Sequence, residues 1–272
     1  MMKRAKRSER VVAIAQQISA QPGRIFTLRE LGEAYDCAKS TLSEDVALVR
    51  GVLATCGYGR VETISGAAGG VRFYPFRSDA QDWAFVETVC RELSHPDRIL
   101  PGGFIYNTDV FSRPETTWRM GEIFAKRFHA AAPDVVVTVE AMGVPIALMT
   151  ARALGKPLVT ARRGSHAAEG SRVTINYMSA SSKRLQTMSL ARRMLQEGQR
   201  ALIVDDFMKG GGTLSGLMDM MAEFSVTVAG VGVILATAQP EHKSVASYDP
   251  LMILDEVDEA NRRVSVRPAS WL

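Results

Sequence analysis

The chain has 272 residues, of which 46% are hydrophobic and 23% charged, with a formal net charge of +4. This balance suits a folded globular protein with room for two domains or one large one, and it excludes a fibrous or disordered chain. No run approaches the roughly 18 apolar residues of a membrane span. The basic N-terminus lacks the apolar core and cleavage site of a secretory signal, and Cys37, Cys56 and Cys90 show no metal spacing, so a reducing cytoplasm is the expected location.

The whole charge excess is N-terminal: residues 1–76 hold 11 Lys and Arg against 7 Asp and Glu. Its densest part is Lys3, Arg4, Lys6, Arg7 and Arg10, a basic arm suited to a polyanion. Ser8 is placed to cap a helix with Val11, Ile14, Ala15 and Ile18 on one stripe, stopped by Pro22 and Gly23. Thr27, with Glu30 three residues on, has capping-box spacing for a second short helix, whose apolar face is Leu28, Leu31 and Ala34 or Tyr35. Asp36 and Cys37 make a turn. A third helix is expected over 38–53, with Leu42, Val46, Val49 and Leu53 inward. Its first turns expose Lys39, Ser40, Thr41 and Ser43, side chains that suit phosphates and base edges in a major groove. After Gly57 the period changes to two. Val61, Thr63 and Ile64, the glycine-rich 66–70, and Val71, Phe73 and Tyr74 read as a hairpin wing, with Arg60 and Arg72 flanking it to meet a DNA backbone. A helical dimerisation module without DNA is the plainer alternative; the basic arm and the wing favour a winged helix.

Residues 75–82 read as a polar linker. Helices are expected over 83–93, ended by Pro96, and from Ser112 and Pro114 through Trp118, Ile123, Phe124 and Phe128. Asp134 to Val139 is a continuous β-branched run, as in a buried parallel strand. Glu140 to Gly143 turns, 144–154 is helical, and 158–160, 201–205 and 226–235 are further strands. Alternating strands and helices indicate a parallel sheet, whose sites lie at the carboxyl ends of the strands. The turn at 140–143 and the loop at 206–213 both lie there.

The stretch from Ala201 to Thr213 carries the chemistry. Four apolar residues end in Asp205 and Asp206; Phe207, Met208, Lys209, Gly210, Gly211 and Gly212 follow; Thr213 opens a helix. Glycines let successive backbone N–H groups face one hollow, and a helix N-terminus adds unpaired donors and its dipole, so a phosphate fits. Carboxylates repel phosphate and suit sugar hydroxyls instead. The implied ligand has both a phosphate and a vicinal diol, as a ribose phosphate does. The stretch closely resembles the signature of type I phosphoribosyltransferases, which bind phosphoribosyl pyrophosphate (PRPP). In that family two acids hold the ribose hydroxyls, the loop cradles the 5-phosphate, and the earlier turn, here Ala141, Met142 and Gly143, binds the pyrophosphate. Many members have threonine where Gly210 stands, and Lys209 adds a cation. Residues 164–183 resemble the family's mobile flap, with 171–177 and 184–188 as its strands. Arg162 and Arg163 are placed to face an anion.

Across the chain to about residue 255, the sequence resembles the bacterial purine operon repressor family. The marks are Ala38-Lys39-Ser40 with Ser43-Glu44-Asp45, the run 66–71, Ile99-Leu100-Pro101-Gly102-Gly103, Ile175-Asn176-Tyr177, Gln186 to Leu190 and Asp205 to Met208. The resemblance implies an α/β chain of two domains: an N-terminal α+β winged-helix domain (1–76) and a C-terminal parallel-sheet, type I phosphoribosyltransferase-like domain (77–272). It further implies a homodimer that binds operator DNA of purine genes and is released by PRPP, with Mg²⁺ as PRPP's companion, and a fold used for sensing without catalysis. The rivals are an active purine phosphoribosyltransferase with a regulatory first domain, a guanine nucleotide alarmone in the same pocket, and activation in place of repression.

Overall fold

A computed structural model describes residues 6–66, 69–164, 170–179 and 184–272. The chain divides into two compact units, one running through Ser78 and including Arg152–Gly155, the other comprising Asp79–Ala151 and Lys156–Leu272.

The first unit contains α1 (Arg7–Ala20), β1 (Ile25–Thr27), α2 (Leu28–Tyr35), α3 (Lys39–Thr55), β2 (Arg60–Ile64) and β3 (Gly70–Tyr74). The strands form a sheet of order β1-β3-β2. Ile14, Ile18, Phe26, Leu31, Leu42, Val46, Val49, Val61, Val71 and Phe73 make one buried core. Three helices and this hairpin are a winged helix. Tyr35, rather than Ala34, is the inward residue of α2. Thr27 caps α2 as its spacing implies, its hydroxyl accepting the Glu30 N–H at 3.0 Å. The Glu30 carboxylate does not complete the box; it pairs with Arg24. Ser8 is not a cap. The helix starts at Arg7, because Glu9 reaches back to accept the Lys6 N–H at 2.9 Å, which satisfies a donor that the first turn leaves open.

The second unit contains α4 (Asp79–Leu93), a short hairpin of β4 (Ile99–Leu100) and β5 (Phe104–Ile105), α5 (Thr108–Phe111), α6 (Pro114–Phe128), β6 (Val135–Val139), α7 (Gly143–Leu154) and β7 (Leu158–Arg163). It continues with β8 (Arg172–Ser179), β9 (Arg184–Ala191), β10 (Arg200–Met208), α8 (Gly212–Glu223), β11 (Thr227–Thr237), β12 (Asp249–Asp258) and β13 (Arg263–Pro268). The eight-stranded sheet has the order β13-β12-β11-β10-β6-β7-β9-β8. Its centre, β12 to β7, is parallel, and β13 and the β8–β9 hairpin are antiparallel edges. Every residue of β6 is buried, as a strand covered on both faces requires.

Two expectations shift here. Helix α4 begins at Asp79, not at Trp83: Asp79 and Asp82 stand in its first turn, where acids favour the helix dipole, and both bind the Lys126 ammonium, at 2.5 and 2.8 Å. Helix α6 begins with Pro114 at its first position, and Ser112 ends α5 instead. The two strands expected for the flap are present as β8 and β9, and they extend the main sheet. Strand β9 pairs with β7, and Tyr177 and Met188 are buried against α8, where only the bare Gly216 leaves room for them, since a Cβ there would lie 2.9 Å from the Tyr177 Cβ. Residues 165–169 and 180–183 of that segment, and Ala67 and Ala68 of the wing, lie outside the described residues.

Candidate functional site

Strands β6 and β10 hydrogen-bond in parallel, Ala201 opposite Val135 through Ile203 opposite Val137. Their carboxyl ends are therefore neighbours, and the turn at 140–143 lies beside the acids. Asp205 is 5% exposed and Asp206 half-buried. Both stand on β10, which runs on to Met208 and so leaves only 209–211 as loop. The Asp206 N–H donates to Asp205 Oδ1 at 3.0 Å. Gly143 closes the junction. A Cβ there would lie 2.5 Å from the Thr138 hydroxyl and 2.7 Å from Asp205 Oδ1, so only glycine fits this close approach. The fully buried Thr138 Oγ1 has no hydrogen-bond partner among the described residues.

Burial raises both carboxyls above the ordinary carboxylate range. Asp205 is raised furthest, because the Asp206 charge adds to its own desolvation. Arg163 opposes the shift at both acids, and its main-chain N–H donates to Glu140 Oε1 at 2.8 Å, which ties the turn to the end of β7. Carboxyl oxygens held in this way are hydrogen-bond acceptors.

The glycine loop follows. Gly211 takes φ +85° as the N-cap of α8. The helix opens at Gly212, one residue before Thr213, and no side chain caps it. The first intrahelical bond to this cap is made by the Ser215 N–H, so the preceding amides are donors without helical acceptors. The Lys209 carbonyl accepts from Lys243 Nζ at 2.6 Å and the Gly210 carbonyl from the Ser244 N–H at 2.8 Å. Lys209 is exposed and Phe207 half-buried. The Met208 side chain is 2% exposed and packed in the core, which leaves its main chain to face the loop. Ala141 and Met142 are exposed at the other turn.

In the first unit, α3 starts without a side-chain cap. Lys39 and Ser40 are exposed, Thr41 is half-buried, and the Ser43 hydroxyl donates to the Lys39 carbonyl at 3.0 Å. A groove of about 690 Å³ runs between α2, this helix start and the wing, lined by Thr27, Arg29, Lys39, Thr63 and Ser65. Arg50 pins the wing to α3 through the Thr63 hydroxyl. The arm is less free than its composition implies. Arg7 reaches Asp45 at 3.4 Å and Glu44 at 3.6 Å, and Arg10 is buried against Asp45. Arg60 and Arg72 share Glu62, at 2.8 and 3.4 Å, and lie over the Tyr74 ring. Lys6 is exposed; Lys3 and Arg4 lie outside the described residues. Pairing over long sequence separations cannot be read from a charge count, which is why Arg7 and Arg10 looked like free arm charge.

Residues 6–75 match the family model for the bacterial purine repressor N-terminal domain, and 109–268 that for the phosphoribosyl transferase domain. The purine biosynthesis transcriptional repressor PurR of Bacillus subtilis is 37% identical over 98% of this chain and 94% of that protein. The purine biosynthesis transcriptional activator PurR of Lactococcus lactis is 38% identical over 96% and 97%. An adenine phosphoribosyltransferase structure from Saccharomyces cerevisiae shares the fold of the second unit, with a TM-score of 0.53 at 17% identity, covering 61% of this chain and 97% of that one. With both domains matched and the relatives spanned nearly end to end, the chain belongs to the bacterial purine repressor family, transcriptional regulators of purine biosynthesis in which a winged helix is joined to a phosphoribosyltransferase fold.

Proposed function

We propose that this regulator is a repressor that holds operator DNA of purine genes and is released by PRPP. The observation that carries the reading is the pairing of two adjacent carboxyls near the end of β10, one buried and one half-buried, with an uncapped helix N-terminus three residues beyond that strand. Asp205 and Asp206 take the ribose hydroxyls. The main chain of 207–213, from Phe207 through Thr213, with the Lys209 cation, takes the 5-phosphate. Ala141, Met142 and Gly143 offer main-chain donors to the diphosphate. Lys6, Lys39, Ser40, Thr41 and Ser43 meet DNA, with Arg7, Arg60 and Arg72 contributing what charge their partners leave.

Among the described residues no group of three or more His, Cys, Asp or Glu is placed to hold a metal. An Mg²⁺ ion arriving with PRPP would therefore rest on the ligand's own phosphates and at most the two acids, a donor set that suits it. It would supply charge neutralisation between phosphate and carboxylate. Among the described residues no helix is long and apolar enough to cross a membrane. The working form is a cytoplasmic homodimer, as suits a reader of paired half-sites.

The mechanism is linkage. PRPP brings several negative charges to a protein that holds another polyanion. A coupling of about 1–3 kcal/mol changes DNA affinity roughly 5- to 150-fold, and operator must weaken PRPP binding by the same factor. A gel shift on DNA upstream of purine genes, with and without PRPP, is the test. Release by PRPP is expected. Undiminished binding at saturating PRPP overturns the sensor reading, and displacement by a guanine nucleotide alarmone alone reassigns the effector. Pyrophosphate release from PRPP with a purine base, well above background, turns the second unit into an enzyme.

A further inference from the structure

The segment after β11 contributes a residue that no motif contains. Lys243 Nζ donates to the Lys209 carbonyl at 2.6 Å, to the Thr237 carbonyl at 2.8 Å and to the Thr237 hydroxyl at 3.2 Å. The next residue, Ser244, donates its N–H to the Gly210 carbonyl at 2.8 Å. Two successive carbonyls of the phosphate loop are thus drawn to one side by 243–244.

Across a trans peptide unit the C=O and the following N–H point in opposite directions, and the peptides of this loop are trans. Drawing the Lys209 carbonyl toward Lys243 therefore turns the Gly210 N–H the other way. Drawing the Gly210 carbonyl toward the Ser244 amide does the same to the Gly211 N–H. Without these holds a glycine run samples both signs of φ freely, and its carbonyl oxygens, which repel anions, are as free to face the hollow as its amides are. The tertiary hold selects one orientation before any ligand arrives.

We propose that Lys243 is a positioning residue of the phosphate site: it sets the amides of the 209–211 loop toward the anion from behind and adds a fixed positive charge there. The inference rests on the PRPP-sensor reading and deepens it. Lys243 is half-buried, and burial together with the Lys209 charge lowers its pKa, so an anion in the hollow favours its charged form. Lys209 is the charged side chain that bears on it; Glu241 and His242 are its exposed chain neighbours.

The test uses the full chain and PRPP itself, by calorimetry, with Lys243→Met and Lys243→Arg. Lys243→Met is expected to weaken PRPP about tenfold or more, while the melting temperature and the operator affinity without PRPP stay near wild type. Wild-type PRPP affinity is expected to fall as alkaline pH discharges the ammonium, at a lower pH than an ordinary lysine requires. Lys243→Arg, whose guanidinium stays charged, loses that fall; Lys209 is present in both and cancels. Wild-type PRPP affinity in a folded Lys243→Met protein overturns the proposal, as does an identical pH profile in wild type and Lys243→Arg. If Lys243→Met fails to fold, the pH comparison decides. If the wild type gives no heat with PRPP, the sensor reading falls and this inference with it; failure of the Lys243 comparison in a PRPP-binding wild type removes only the inference.

Discussion

Arg10 on α1 donates from Nε to Asp45 Oδ2 at 2.5 Å, and neither side chain has more than 9% of its surface in water. The pair joins α1 to α3. Removing one partner of a buried pair strands the other charge. Asp45→Ala is therefore expected to destabilise the first unit by about 3 kcal/mol, read as a lower denaturation midpoint with operator affinity lost alongside. Replacing both residues with methionine should recover most of the stability, because an apolar pair of similar volume needs no counter-charge. A double variant as unstable as Asp45→Ala refutes this account.

Lys39 and Arg72 both carry charge near the groove, with different freedom. Lys39 is exposed at the uncapped start of α3, whereas Arg72 pairs with Glu62 and lies 4.8 Å over the Tyr74 ring. Lys39→Ala should weaken operator binding at every sequence and lower the salt slope by about one. Arg72→Ala should change that slope less, since its charge is already answered. Titrations at several salt concentrations compare the two, and an equal or larger change for Arg72→Ala contradicts the ranking. PRPP heat should be unchanged in both.

What could be read before the fold was known divides by range. Asp205, Asp206 and the glycines were legible because their chemistry is local: an acid pair ending an apolar strand and a φ that glycine adopts without cost need no distant partner. The β-branched run at 135–139 was legible for the same reason. Strand β1 has three residues, too few to show a period, and exists because Ile25, Phe26 and Thr27 pair with β3. The pairing of Arg7 and Arg10 was not legible because Asp45 lies 38 and 35 residues away. Met208 reads as motif, but its side chain packs in the core with Ala201 and Ile203, out of step with strict strand alternation. Lys243 is 34 residues from the carbonyl it holds, and no spacing rule connects them.

Gly143 should be intolerant of the smallest side chain. Gly143→Ala places a methyl within 2.7 Å of both Thr138 Oγ1 and Asp205 Oδ1, so the turn and the acids must part. Overpacking of this kind costs about 1–3 kcal/mol, and the PRPP response should fall with it. Thr138→Ala in the same chain removes one of the two obstructing atoms and should restore part of the stability. Thr138→Val alone should melt at or above wild type, because its buried hydroxyl has no partner to lose. Measured melting of the four proteins tests this, and a Gly143→Ala chain with wild-type stability and PRPP affinity contradicts the close approach.

Asp205 sets stability against function with a definite sign. Its carboxyl is held well above the usual range by burial and by Asp206, while the unfolded chain returns it to about 3.9. Between those two values the folded state keeps a proton that the unfolded state has lost, so stability falls as pH rises through that window and then levels off. Asp205→Asn cannot ionise and escapes the fall. Its melting temperature should match wild type near pH 4 and exceed it by a margin that grows toward neutral pH, while PRPP heat is lost because the amide cannot replace a carboxylate at the diol. For wild type, PRPP affinity should rise with pH as the pair gives up its proton, since hydrogen-bonded hydroxyls favour the ionised form. Thermal scans and calorimetry from pH 4 to 8 measure both trends. An Asp205→Asn protein less stable than wild type at pH 7.5 would make the acid a structural anchor, and a pH-independent stability difference would remove the buried proton from the account.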